Sequence, residues 1–89
     1  MPRYLIERAR PTGLPPAERG AVAKRAIAVA DSMPGVVWIR SYISESEGKT
    51  YCEYEAPNPE AILEHARRAG LSVLKITPFE REVDPSMFR

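Results

Sequence analysis

The feature that most constrains the fold of this 89-residue chain is a pair of strand-forming runs at its centre. Residues 36–44 are rich in β-branched and aromatic side chains, which favour extended structure. Residues 49–55 form a second run of the same kind, and only the four residues 45–48 separate the two. Such a short connection predicts an antiparallel β-hairpin.

A strand and then a helix precede the hairpin. Residues 3–8 are a short β-prone run that places Tyr4 and Ile6 in the core, and a loop at residues 11–13 ends it. Apolar side chains then recur every three or four positions over residues 16–33. This spacing predicts a helix that begins at a pair of prolines, which are tolerated in a first turn.

A helix and a strand also follow the hairpin. Asn58 is placed to cap a helix that starts at Pro59 and stops at Gly70. The chain then continues into an amphipathic strand at residues 73–83. Because Pro78 lacks a backbone N–H, this last strand is expected at an edge of the sheet.

The order β-α-β-β-α-β predicts an α+β fold, the ferredoxin-like sandwich. In this fold four antiparallel strands lie in the order 4-1-3-2, with both helices on one face. Residues 1–89 are expected to form one domain, because a second would be too small to stabilise its own core. A core this thin favours a second subunit on the open sheet face, in a homodimer of the dimeric α/β-barrel type.

The face of the sheet away from the helices carries the candidate site. Because side chains alternate across a strand, the apolar Val37, Ile39 and Ile43 are expected to face the helices. The open face, with Leu5, then carries three aromatic side chains around a charged set. These candidate ligand-binding residues are Glu7, Trp38, Arg40, Tyr42, Tyr51 and Glu53. Exposed apolar patches of this kind usually contact another molecule.

The four-residue loop predicts two cross-strand pairs on this face, Tyr42 opposite Tyr51 and Arg40 opposite Glu53. If the face is a plain dimer interface, the second pair is expected to be an ion pair. If instead the dimer encloses a small ligand, the Arg40 guanidinium is expected to bind its carboxylate or another anion. A face open to solvent is the third alternative.

Charge and composition argue against several classes of partner. The 13 basic and 12 acidic residues are interspersed, so no basic stripe predicts binding to nucleic acid or to a membrane surface. Uncharged stretches are too short to span a bilayer. The first residues lack the apolar core of a signal peptide, so a cytoplasmic location is expected.

The residues that carry most metal and nucleophile chemistry are scarce. The single cysteine, Cys52, is expected to be a buried, inert thiol on the helix-facing side of its strand. The single histidine, His65, is expected to be solvated or helix-capping rather than a metal ligand. No catalytic residue is predicted, although Glu7 and Glu53 could serve as acid and base if their pKa values were pushed apart.

Several segments together resemble a known family of small domains of unknown function. The family is typed by a nickel-responsive, nickel-binding protein with a dimeric ferredoxin-like fold. The segments that carry the likeness are residues 4–8, 38–42, 49–54 and 56–66, and the likeness continues to residue 85. The resemblance implies the fold, the dimer and nickel as a cofactor.

The resemblance also bears on metal ligands. Members of the family often have histidine where this chain has Arg40, and arginine has no lone pair free for a metal. By resemblance, His65, Glu7 and Cys52 remain as candidate ligands, although they are spread over a helix and two strands.

Three functions stay open from the sequence. The first is a non-enzymatic homodimer whose sheet faces enclose a small ligand. The second is a cofactor-independent enzyme of the dimeric α/β-barrel type, an oxygenase or isomerase with Glu7 or Glu53 as base. The third is a purely structural interaction module.

Overall fold

Strands and helices alternate along the chain in the predicted order. A computed structural model describes residues 2–9 and 16–89 of the chain. Its elements are β1 (Arg3–Ala9), α1 (Pro16–Asp31), β2 (Val37–Ser44), β3 (Lys49–Glu55), α2 (Pro59–Ala69), β4 (Lys75–Phe79) and a final 3-10 turn (Pro85–Phe88). Neither helix in these ranges has the length and apolar character needed to cross a membrane.

The four strands form one antiparallel sheet in the order β2-β3-β1-β4. This is the predicted order viewed from the other edge, so the ferredoxin-like topology is confirmed. β4 lies at an edge, as its proline predicted. Tyr4 and Ile6 on β1 are buried against the helices together with Ile62 of α2. One face of the sheet is therefore the core.

α2 is fixed at both ends by the residues that predicted it. The Asn58 side chain accepts a hydrogen bond from the amide of Ala61 at 2.9 Å, which satisfies one free donor of the first turn. At the other end Gly70 adopts a left-handed conformation with φ 71°, which an L side chain rarely adopts. Between the caps Ile62 and Ala66 are buried in the core.

α1 is built largely from alanine and presents only short side chains to the sheet. Ala26 and Ala30 are its buried residues. The helix ends at Asp31, two residues before the predicted end, because the amide of Met33 bonds to the carbonyl of Ala30 and tightens the last turn. The loop predicted at residues 11–13 lies outside the described residues.

β4 is shorter than predicted, five residues instead of residues 73–83. Its only neighbour in the sheet is β1, and the last pair joins Phe79 to Arg3 at the start of β1. Beyond Phe79 the chain has no strand to pair with. The amphipathic pattern of residues 80–83 therefore does not produce a strand.

β2 contains a β-bulge that changes which side chains face the helices. The register of β2 against β3 shifts between Trp38 and Arg40, so Ile39 is an extra residue. On the near side of the bulge Trp38 pairs with Tyr54, which is buried in the core, and Val37 pairs with Glu55 on the open face. The prediction that Val37 faces the helices and Trp38 the open face is wrong, because one inserted residue reverses the alternation.

Beyond the bulge the predicted register is confirmed. Tyr42 lies opposite Tyr51 and Arg40 opposite Glu53, as the four-residue loop required. Ile43, opposite Thr50, faces the helices as predicted.

Candidate functional sites on the two sides of the sheet

Five of the six predicted site residues share the open face. Across the sheet, Glu7 of β1 pairs with Tyr51 of β3, and Tyr51 pairs with Tyr42 of β2. Two residues further along β3, Glu53 pairs with Arg40. Trp38 is not among them, because the bulge places its indole on the helix side. The open face thus keeps its charged set and its two tyrosines but lacks the tryptophan.

Most charges of the open face have partners within the chain. The Tyr42 hydroxyl donates a hydrogen bond to Glu53 Oε1 at 2.9 Å, and Lys49 Nζ lies 3.7 Å from Glu7 Oε1. Glu53 therefore interacts with Tyr42, not with Arg40. No ion pair or side-chain hydrogen bond joins Arg40 to any residue in 2–9 or 16–89, so the predicted Arg40–Glu53 ion pair is absent from this part of the chain.

The same face exposes apolar surface between charges of both signs. Val37 is 47% exposed and Tyr42 is 52% exposed. The charged residues that share the face by register are Arg3, Arg40, Lys49 and Lys75 with Glu7, Glu53 and Glu55. Charges of opposite sign therefore alternate across this face.

The helix side of the sheet holds a half-open cavity of about 490 Å³. α1 forms one wall with side chains no larger than valine, apart from two arginines at the rim. The sheet forms the floor, and the turn after α2 closes one end. The residues that line it are Arg8, Ala9, Arg19, Val22, Ala23, Arg25, Ala26, Trp38, Ser41, Ile43, Thr50, Cys52, Tyr54, Gly70, Leu71 and Ser72.

A short chain of hydrogen bonds joins three side chains of the cavity floor. Trp38 Nε1 donates to Ser41 Oγ at 2.9 Å, and Ser41 Oγ donates to Cys52 Sγ at 3.0 Å. Cys52 is buried on the helix side, as predicted. These hydrogen bonds hold the Trp38 indole against the sheet, where its ring lines the cavity.

Arg8 is a buried cation that sequence analysis did not select. Only 5% of it is exposed, and its Cζ lies 5.6 Å from the centre of the Tyr54 ring. Nη1 donates to the carbonyl of Ser72 at 2.9 Å, whereas Nε and Nη2, both shielded from solvent, find no hydrogen-bond acceptor among the described residues. The alternation that places Tyr4 and Ile6 in the core also places Arg8 there, so the pattern needed to find it was present in the sequence.

His65 is completely buried, which overturns the expectation of a solvated or capping histidine. Its Nε2 lies 2.9 Å from the carbonyl of Ala26, and because a carbonyl only accepts, Nε2 carries the proton. The ring packs edge-on against Tyr54, with centroids 5.1 Å apart. Burial lowers the pKa of His65, while burial raises the pKa of Tyr54 to about 12.

The candidate metal ligands lie on different sides of the sheet. Glu7 is on the open face, whereas Cys52 and His65 are buried on the helix side and His65 Nε2 is occupied by a carbonyl. Within residues 2–9 and 16–89, no three His, Cys, Asp or Glu side chains are grouped so that they could hold a metal ion. The described residues of one chain therefore do not fit a nickel site.

The element order, the sheet topology and the two helices on one face define an α+β domain of the ferredoxin-like class. The crystal structure of SCO4226 from Streptomyces coelicolor A3(2) has the same fold. The two superpose with a TM-score of 0.78 and 18% sequence identity, over 91% of this chain and 99% of that one. At this identity the likeness establishes the fold.

The sequence identifies a particular family within this class. Residues 4–78 match the family described as "Nickel responsive protein SCO4226-like". The chain belongs to the SCO4226-like family, and the resemblance inferred from its own residues is confirmed. A search of curated proteins found no match to the sequence.

Proposed function

We propose that this chain is a non-enzymatic binding protein that works as a homodimer, with the open faces of two sheets packed against each other. The observation that carries the proposal is the exposed apolar surface of Val37 and Tyr42 beside the guanidinium of Arg40, which has no partner among the described residues. Exposed apolar surface of this kind on a small domain favours contact with another molecule.

Charge complementarity supports a second copy of this chain as that molecule. In a two-fold interface each residue of one subunit meets a residue of the same patch on the other. The acidic side chains Glu53 and Glu55 on β3 of one copy would then lie within reach of Arg40 in the other copy. A small carboxylate enclosed between the faces would serve Arg40 in the same way.

The enzyme alternative receives less support from the geometry. It requires a glutamate held in a water-excluded cavity, where its pKa could be raised for proton transfer. Glu7 lies on the open face beside Lys49, and Glu53 accepts a hydrogen bond from Tyr42. Neither glutamate lines the cavity on the helix side.

Analytical ultracentrifugation over a range of protein concentrations tests the dimer. We expect a reversible dimer for the unmodified chain and, for Arg40→Glu, dissociation at least about tenfold stronger, since a like charge would face Glu53 and Glu55. Lys24→Glu on the exposed side of α1 is the matched control, with the same change of charge and no expected effect.

Two results would overturn the proposal. One is a chain that stays monomeric at every concentration. The other is a dimer that Arg40→Glu and Lys24→Glu weaken equally. Calorimetric titration with nickel and with acetate, on the dimer, then distinguishes metal binding from carboxylate binding at the enclosed face.

A further inference from the structure

The segment after β4 carries the most exposed large apolar side chains of the described residues. We call residues 80–89 the arm, and every residue in it is exposed. Within the arm Val83 is 63% exposed, Met87 is 60% exposed and Phe88 is 77% exposed. Apolar surface of this extent in one short segment favours contact with another molecule.

The arm has a defined local structure although little of it is covered. Asp84 Oδ1 accepts a hydrogen bond from the amide of Ser86 at 2.8 Å and caps the final 3-10 turn. At the base of the arm, Glu82 Oε2 lies 3.3 Å from Nη1 of Arg3, which is one of the charged residues of the open face. This ion pair ties the base of the arm to the open face. A segment that is already ordered loses little conformational entropy when it docks.

A groove of about 310 Å³ lies at the other edge of the sheet, between the end of α1 and the start of β2. Its walls include Ile27 and Val37, both about half exposed, and Ile39, the extra residue of the bulge. Val37 and Arg40 belong to the groove and to the open face, so the two surfaces are continuous. Among the described residues of one chain, the arm does not fill the groove, because apolar side chains of both stay exposed.

A face-to-face dimer can bring the arm of one copy to the groove of the other. If two open faces pack about a two-fold axis parallel to the strands, the rotation reverses the order β2-β3-β1-β4 and places β4 of one copy over β2 of the other. The arm follows β4 and the groove borders β2, so the two meet at this edge. Charge agrees with this placement: Asp31 lines the groove and Arg89 follows Phe88 in the arm.

We propose that the arm of each copy docks in the groove of a second copy, with Phe88 against Ile27 and Val37. This inference rests on the proposed homodimer and names the segment that each subunit contributes to its partner. The arm docks through its side chains, because it forms a 3-10 turn that begins at Pro85 and not a strand.

Disulfide formation between copies tests the placement of the arm. Chains with Arg89→Cys are mixed with chains with Asp31→Cys, at a concentration where the dimer forms, and are oxidised with diamide. We expect a mixed cross-linked dimer to form at least about tenfold faster than in a mixture with Leu63→Cys, an exposed position on α2, because docking raises the effective concentration of the two thiols. The unmodified chain should not cross-link, because Cys52 is buried.

Ultracentrifugation of Phe88→Ser gives a second readout. Because the ring would be buried only in the dimer, its loss should weaken dimerisation by roughly tenfold or more. Leu63→Ser is the matched control, since it removes another exposed apolar side chain and should leave the dissociation constant unchanged.

The outcomes separate the docking of the arm from the dimer itself. The arm proposal is wrong, and the homodimer stands, if the dimer is not weakened by Phe88→Ser or if Arg89→Cys cross-links to Asp31→Cys no faster than to Leu63→Cys. A chain that is monomeric at every concentration refutes both proposals. A double variant with Asp31→Cys and Arg89→Cys that closes into a cross-linked monomer, with no mixed dimer, would place the arm in its own groove and refute the exchange between copies.

Discussion

The two sides of the sheet treat charge in opposite ways. On the open face the ionisable side chains are partly exposed, and Glu7 and Glu53 have partners on neighbouring strands. On the helix side two basic side chains, Arg8 and His65, are buried with polar atoms that have no partner. Arg8 is buried although it is charged, because its position in the alternation of β1 places it on the same side as Tyr4 and Ile6.

The two sides of the sheet also differ in what they lack: covered apolar surface on one side and hydrogen-bond partners on the other. The open face is incomplete in area, because apolar surface remains exposed and a second large surface could cover it. The helix side is incomplete in hydrogen bonding, because Nε and Nη2 of Arg8 and Nδ1 of His65 lack acceptors or donors. A protein surface suits the first.

The largest expected effect is on the free energy of unfolding, because the two sides of the sheet differ in how tightly they are packed. Ile6 is fully buried on the helix side, so Ile6→Ala should lower the free energy of unfolding by about 3 kcal/mol through lost burial and a residual cavity. Val37→Ala on the open face should cost less than about 1 kcal/mol. Urea unfolding measures both. Similar costs for the two variants would show that the open face is as deeply packed as the core.

Protein concentration sharpens this first comparison. The cost of Ile6→Ala should be the same at every concentration, because that residue packs within one chain. If two sheets pack together, the cost of Val37→Ala should grow with concentration, since unfolding is then coupled to dissociation.

The second effect concerns the buried histidine. Because burial holds the folded-state pKa of His65 below its ordinary value of 6.5, the unfolded chain binds this proton more readily. Stability from His65 is therefore complete above pH 6.5 and falls as pH drops below it, by at most about 1.4 kcal/mol per pH unit. Arg8, which faces the ring across Tyr54, acts in the same direction.

Unfolding midpoints between pH 7.5 and 5.5 measure this dependence before most carboxylates titrate. His65→Leu removes the titrating group and should flatten the curve over that range. A slope that persists unchanged in His65→Leu would assign the pH dependence to another group.

The smallest effect is expected on the open face. Tyr42→Phe removes the hydrogen bond to Glu53 but leaves the ring, and water can replace the lost donor because Tyr42 is half exposed. The variant should lose no more than about 0.5 kcal/mol in thermal or urea unfolding of the monomer. A loss above about 1 kcal/mol in the monomer would mean that this hydroxyl is part of a buried network.

The fold could be predicted because its determinants are local. A four-residue loop fixes the hairpin register, Asn58 and Gly70 fix the ends of α2, and Pro78 places β4 at an edge. Each acts within a few residues, where backbone sterics and hydrogen bonds dominate.

The candidate site could be predicted only in part because two of its determinants are not local. The bulge at Ile39 has no evident cause within β2, and it alone moves Trp38 from one face to the other. The burial of His65 depends on α1, whose small side chains allow α2 to approach and present the Ala26 carbonyl. Alternation along β1 also directs Arg8 to the helix side, because it follows Tyr4 and Ile6 at the same spacing.

The bulge at Ile39 has a further consequence for how the molecule can assemble. β2 is an outer strand of the sheet, and a straight outer strand offers a row of free backbone groups to which another chain can add. The extra residue interrupts the row of free backbone groups and twists the strand. Edge-to-edge addition of another chain at β2 is therefore disfavoured. This favours the proposed association through the open faces of two sheets over association through β2.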